Sequence, residues 1–152
     1  MIYIIYLKKD IELLIHLFND NLVLNKRICQ LKIWLSIYNE IPYIDKKIVL
    51  ILNSAWLSGF TDAEGCFNVS ITTRTKHKVG FRTKLRFLLD QQFEQDCLFQ
   101  IRNIFNTGNV ALRSKTNQVF RYSTDSFHSI IKIINYFNKF PLKTVKAESF
   151  KK

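Results

Sequence analysis

The stretch Trp56-Leu57-Ser58-Gly59-Phe60-Thr61-Asp62-Ala63-Glu64-Gly65-Cys66-Phe67 decides how the rest of the chain is read. Asn53 and Ser54, just ahead of it, are good N-caps, so a helix begins there and runs to about Asp62. Ala55, Ser58 and Gly59 give that helix a face with almost no side chain, one that another helix of this chain or of a partner can approach closely. Trp56 and Phe60, one turn apart, are spaced to face a core. Two carboxylates, Asp62 and Glu64, then arrive at the C-terminal end, where the helix dipole disfavours negative charge. That placement calls for an offsetting cation, and a divalent metal would serve. On spacing alone, a packing helix followed by solvated acids is the favoured reading. Gly65 permits the turn into the next element.

Downstream the period changes. From Cys66 to Arg74, Phe67, Val69, Ile71 and Thr73 alternate with Asn68, Ser70, Thr72 and Arg74, which predicts a strand with one apolar and one polar face. Thr75 to Gly80 reads as a basic turn. Phe81 to Leu89 alternates again: Phe81, Thr83, Leu85, Phe87 and Leu89 point one way, Arg82, Lys84 and Arg86 the other. A helix over 93–105 stops at Asn106-Thr107-Gly108. Strands follow at 109–113 and 118–124, then a helix at 126–137 with Phe127, Ile130, Ile131, Ile134 and Phe137 on its apolar side. The tail, from Phe140, opens on Pro141 and closes in a helical turn. This order predicts an α+β fold, an antiparallel sheet with helices on one face and the other face open and polar.

Upstream, Ile11, Leu14, Ile15 and Phe18 predict an amphipathic helix over 10–18, and Ile28, Leu31, Leu35 and Tyr38 a second over 26–38. Residues 39–52, with Pro42, read as a linker. The expected division is 1–38, 39–52 and 53–152. A faint echo at a spacing of 119 residues sets Ile11, Ile15, Phe18, Asn19 and Lys32 over Ile130, Ile134, Phe137, Asn138 and Lys151. Helical periodicity alone would produce several of these matches.

The charge balance names a partner class. A net charge of +11 in 152 residues, with 47% hydrophobic residues, describes a folded domain that attracts a polyanion. Asn68, Ser70, Thr72, Arg74, Arg82, Lys84 and Arg86 share one predicted sheet face, and Arg113, Lys115 and Arg121 can extend it. An ordinary solvated face usually mixes both signs, yet no Asp or Glu occurs between Cys66 and Leu89. Ile, Lys, Phe, Asn and Tyr supply 66 of the 152 residues, which suggests an AT-rich gene, as in organelles. Cys29, Cys66 and Cys97 form no CxxC pair and read as small buried residues in a reducing compartment. His16, His77 and His128 are isolated and receive no role. No apolar run approaches the roughly 20 residues of a membrane span, and no secretory or transit leader is apparent.

Leu57 to Gly65, as L-S-G-F-T-D-A-E-G, resembles the LAGLIDADG motif of homing endonucleases and intron maturases. The similarity extends to Gln91 after the second strand, to Gly108-Asn109-Val110 at the third, to Phe140-Pro141-Leu142-Lys143, and to the α-β-β-α-β-β-α order over residues 53–152. The resemblance implies that two motif helices pack together and that the last acid of each motif binds a divalent metal between them. Glu64 would be that metal ligand and catalytic acid, with Mg²⁺ as cofactor. Lys143 would be the basic residue near the phosphate, Gln91 a polar residue positioning solvent, and Asp62 a structural acid at the helix end. Ala55, Ser58, Gly59 and Asp62 form the expected helix interface.

Only one motif is present, and residues 1–38 resemble the closing part of a first repeat whose beginning is truncated or encoded elsewhere. The expectation is a protein that binds DNA or structured RNA and does not cleave alone, with no membrane partner. The family's activity is metal-dependent double-strand cleavage. The alternative is a non-catalytic RNA binder, either an intron maturase or a component of an organellar ribonucleoprotein such as the mitochondrial ribosome. The expected location is the mitochondrion, with the chloroplast as second choice.

Overall fold

The computed structural model describes residues 7–37, 41–75 and 80–151, in two compact units, residues 1–49 and 50–152. Tyr38, His77 and most of the predicted basic turn lie outside the described residues.

In the first unit, α1 (Lys8–Phe18) and α2 (Asn25–Ile37) bury Ile15, Leu31 and Leu35 between them. Part of the predicted linker packs here as well: Ile41 and Tyr43 cover this small core. Buried Asn19 fastens them, donating from Nδ2 to the Pro42 carbonyl (2.8 Å) and accepting the Ile44 N–H (2.9 Å). A buried amide satisfied on both sides specifies one chain path, because leaving either bond unmade costs more than the bond contributes.

In the second unit, α3 (Trp56–Glu64) leads into β1 (Gly65–Thr73) and β2 (Phe81–Gln92). Then come α4 (Gln95–Phe105), β3 (Asn109–Ser114), β4 (Val119–Thr124), α5 (Phe127–Lys139) and α6 (Lys146–Lys151). The sheet is antiparallel throughout, in the order β1-β2-β4-β3. β2 runs past its predicted end because Asp90, Gln91 and Gln92 pair with Arg121, Phe120 and Val119.

Phe87, Leu89 and Tyr122 face the helices and are buried against Leu98, Ile101 and Phe105 of α4 and Ile133 and Phe137 of α5. Phe137 meets both Phe67 (ring centroids 5.6 Å apart) and Phe87 (5.7 Å) edge to face, a favoured geometry for aromatic quadrupoles. Val69, Ile71, Phe81 and Leu85 lie on the same face but are exposed. The helices cover only the end of the hairpin near Phe67 and Phe87, so alternation correctly assigns these residues to a face without predicting their burial.

Two glycines are fixed by space. Gly108 has φ +86°, and a Cβ there would come within 2.5 Å of the Tyr122 ring. Gly65, expected to permit the turn into the strand, has an ordinary extended backbone (φ −75°), and it is space that requires the glycine. A Cβ at Gly65 would lie 2.8 Å from the Thr61 carbonyl oxygen, which excludes a side chain where the strand leaves the helix. The cysteine expectation is also corrected. Only Cys97 is buried; Cys66 shares the polar face of β1 with Asn68, and Cys29 is exposed on α2.

Candidate nucleic-acid interface and motif helix

The pleat and the register build the polar face. Asn68 stands opposite Arg86, Ser70 opposite Lys84 and Thr72 opposite Arg82. Since side chains alternate strictly, these six share one side of the hairpin, away from the helices. Asp90 lies opposite Arg121, and Arg121 opposite Ala111, which carries the same face across β4 and β3. Arg74 sits just past the end of β1, and Lys115 in the turn between β3 and β4.

The face is not purely basic. Arg121 donates from Nε to Asp90 Oδ1 (2.6 Å) and from Nη2 to Oδ2 (2.7 Å), and Arg113 also donates to Oδ2. Lys84 pairs with Asp125. Arg86 donates from Nη2 to Asn68 Oδ1 at 2.8 Å, while its buried Nε has no partner. The Asp90 carboxyl is held below its ordinary value, first by the Arg121 hydrogen bond and then by the Arg121 and Arg113 charges, which together outweigh partial burial. Asp90 escaped the charge reading because it lies one residue beyond the 66–89 window, and Asp125 because it comes to Lys84 from after the fourth strand.

The motif helix is tied into its own domain along one side. The Tyr136 hydroxyl donates to the Ser54 carbonyl (2.7 Å) and accepts the Ser58 N–H (3.2 Å). Burial pushes this phenol up from its usual value, against the backbone N–H groups of Ser58 and Leu57, which favour its ionised form. The Ser58 hydroxyl donates to the Pro141 carbonyl (3.2 Å). The N-cap position is Ala55, one residue past the expected caps, and has no side-chain cap bond; Ser54, just before it, accepts the Trp56 N–H (3.2 Å), and Trp56 stacks on Phe60 at 4.8 Å.

At the other end, Asp62 accepts the N–H of Lys143 (2.8 Å), the N–H of Thr144 (3.2 Å) and the Thr144 hydroxyl (2.6 Å). Partial burial would raise its carboxyl, but these three bonds and the Lys146 charge lower it on balance. Lys146 donates to the carbonyls of Ala63 (2.9 Å) and Thr61 (3.2 Å). The cation demanded by acids at a helix C-terminus is therefore supplied within the chain, an interaction of about 0.3–1 kcal/mol. The two acids alone do not argue for a metal. Sequence reasoning missed Lys146; its only signal was a lysine three residues beyond Lys143.

Of the four expected interface residues, Ser58 and Asp62 face the chain's own C-terminal segment, while Ala55 and Gly59 are exposed. Nothing lies within 4 Å of a Cβ built at Gly59. Ala55, Gly59 and Ala63 thus form a bare strip along α3. Glu64, the last residue of α3, is exposed, and the Lys143 backbone is held beside Asp62 two residues earlier. Gln91 lies within β2 opposite Phe120, on the helix side of the sheet. Among the described residues, no three His, Cys, Asp or Glu converge on a point that could hold a metal ion.

The sequence model for the LAGLIDADG endonuclease family matches residues 57–152, from the motif helix to the tail. The chain belongs to the LAGLIDADG endonuclease family. Its relatives include a probable intron-encoded endonuclease 4 of Neurospora crassa, 35% identical over 91% of this chain and 26% of that protein. An uncharacterized cox1 intron-2 protein of Schizosaccharomyces pombe is 30% identical over the whole chain and 47% of its own length. The chain thus spans between a quarter and a half of the length of these LAGLIDADG relatives. The crystal structure of the homing endonuclease I-TnaI superposes with TM-score 0.61 at 28% identity, over 68% of this chain and 69% of that one. The LAGLIDADG meganuclease I-CpaMI, solved bound to uncleaved DNA, matches with TM-score 0.58 at 28% identity, over 64% of this chain and 33% of that one. The LAGLIDADG fold, a four-stranded antiparallel sheet with helices on one face, is the fold found here. No helix among the described residues is long and apolar enough to cross a membrane.

Proposed function

We propose that this chain is the DNA-gripping half of a homing endonuclease, binding duplex DNA on the polar face of its sheet and offering Glu64 as one of two acids of a shared cleavage centre. The observation that carries this reading is the β1–β2 register, which gathers Asn68, Ser70, Thr72, Arg82, Lys84 and Arg86 into two facing rows. Arg and Lys neutralise phosphates; Asn, Ser and Thr reach phosphates and base edges alike. A net charge of +11 adds long-range attraction. Relatives solved with DNA support a duplex as the ligand. Arg74, Arg113, Lys115 and Arg121 extend the surface.

Glu64 offers a hard carboxylate oxygen suited to Mg²⁺. One such carboxylate does not fit the ion by itself, and among the described residues no three His, Cys, Asp or Glu gather to hold one, so the lone chain holds half a centre. The other acid comes from a second motif helix, lying along the bare Ala55–Gly59 strip. When bound, the ion would polarise the scissile phosphate and activate water. By family resemblance, Lys143 serves the phosphate and Gln91 the solvent; Asp62 holds Lys143 in place. The relatives' intron-encoded names and the AT-rich coding support a reading frame within a mitochondrial intron.

The test is a binding assay on a duplex spanning the joined exons of the host gene, with the folded intron RNA as competitor. Tight, salt-sensitive retention of the duplex supports the reading. RNA that outcompetes DNA by a large factor replaces it with an RNA-binding one.

A further inference from the structure

On a face that attracts a polyanion, Asp90 is an anomaly. Its charge lies in the middle of the sheet and repels the phosphates that Arg113 and Arg121 would otherwise attract, so removing it would strengthen non-specific binding. Its geometry shows what it does instead. The carboxylate takes the Nε and Nη2 donors of Arg121, the side-on fork of the guanidinium, at 2.6 and 2.7 Å. The end-on fork, formed by Nη1 and the second hydrogen of Nη2, has no partner among the described residues. Arg113 joins the same carboxylate from the irregularity between Leu112 and Ser114, where a bulge re-aims a side chain.

An arginine gripped in this way is a planar, pre-oriented pair of donors. A phosphate can also take such a fork, but it is equally satisfied by a mobile cation from many directions. A base edge does need it. In the major groove, guanine carries two adjacent acceptors, N7 and O6, which match an arginine fork. We propose that Asp90 is a specificity-determining residue: it holds Arg121 in one orientation so that the free fork reads a guanine edge. This rests on the reading that the sheet face binds duplex DNA.

The test is selection of duplexes from a pool with randomised positions, using the purified chain, its Asp90→Asn variant and its Arg121→Lys variant. The wild type is expected to enrich guanine at one position. Both variants should lose roughly tenfold discrimination there while other positions keep theirs. Asp90→Asn should also hold random duplex at least as tightly as the wild type. Guanine preference that survives Asp90→Asn overturns the proposal, as does a loss of affinity equal for all sequences, the mark of a merely structural carboxylate. If Asp90→Asn does not fold, Asp90→Ser takes its place with the same expected loss; Arg121→Lys keeps the charge and discards the fork, and guanine preference that survives it overturns the proposal too. A wild type that binds every duplex equally overturns this proposal alone; one that binds none overturns the DNA reading as well.

Discussion

Asp62 and Thr144 are joined twice, through the Thr144 N–H at 3.2 Å and its hydroxyl at 2.6 Å, which pins the chain's C-terminal segment to the end of the motif helix. Because the Asp62 carboxyl is held below its ordinary 3.8, the stability it contributes is complete above that value and is lost as pH falls through the lower folded one. Asp90 behaves in the same sense. Asp62→Asn should therefore flatten the acid limb of unfolding below about pH 4, measured by urea melts across pH. An unchanged acid limb would show that this junction carries no pH-dependent stability.

Tyr136→Phe removes the hydroxyl that serves both Ser54 and Ser58 at the start of α3. The Ser58 N–H keeps its bond to the Ala55 carbonyl (3.0 Å), so the loss is chiefly the Tyr136–Ser54 bond and should cost about 0.5–1.5 kcal/mol, read from urea denaturation. A loss below about 0.5 kcal/mol would mean that water replaces the hydroxyl.

Gly59→Leu should leave the isolated domain folded and slightly more stable, since nothing lies within 4 Å of the new Cβ and leucine favours a helix by up to about 1 kcal/mol over glycine. The same change should abolish pairing along α3 by overpacking. Thermal melts and analytical ultracentrifugation separate the two effects. Any self-association that survives Gly59→Leu uses another surface.

Replacing Arg82, Lys84 and Arg86 together with Ser should weaken DNA binding and reduce its salt slope by about 0.9 for each phosphate no longer neutralised. Since Lys84 already pairs with Asp125, Arg82 and Arg86 should account for most of the change. Fluorescence anisotropy over a salt series reads this directly, and an unaltered slope would move the interface elsewhere.

The hairpin and its polar face are legible from residues 66–89 because alternation is a local property and the two strands are neighbours in sequence. The motif helix is legible because its small residues and paired acids stand in one uninterrupted run. The rest is non-local. Nothing near Asp90 predicts that it meets Arg121, 31 residues on. Nothing near Thr61 predicts Lys146, 85 residues on. The small-residue face splits into a bound half, Ser58, and a bare half, Ala55 and Gly59, only once α5 and the tail are folded against it.

A chain that grips DNA but holds only half of a cleavage centre retains a duplex without breaking it. The direct measurement is incubation of the purified chain with Mg²⁺ and a duplex spanning the joined exons, scored for both retention and double-strand breaks. Retention without cleavage is the expected result. Breaks made by the wild type and abolished by Glu64→Gln would contradict it, and would show that two copies of this chain assemble a complete centre.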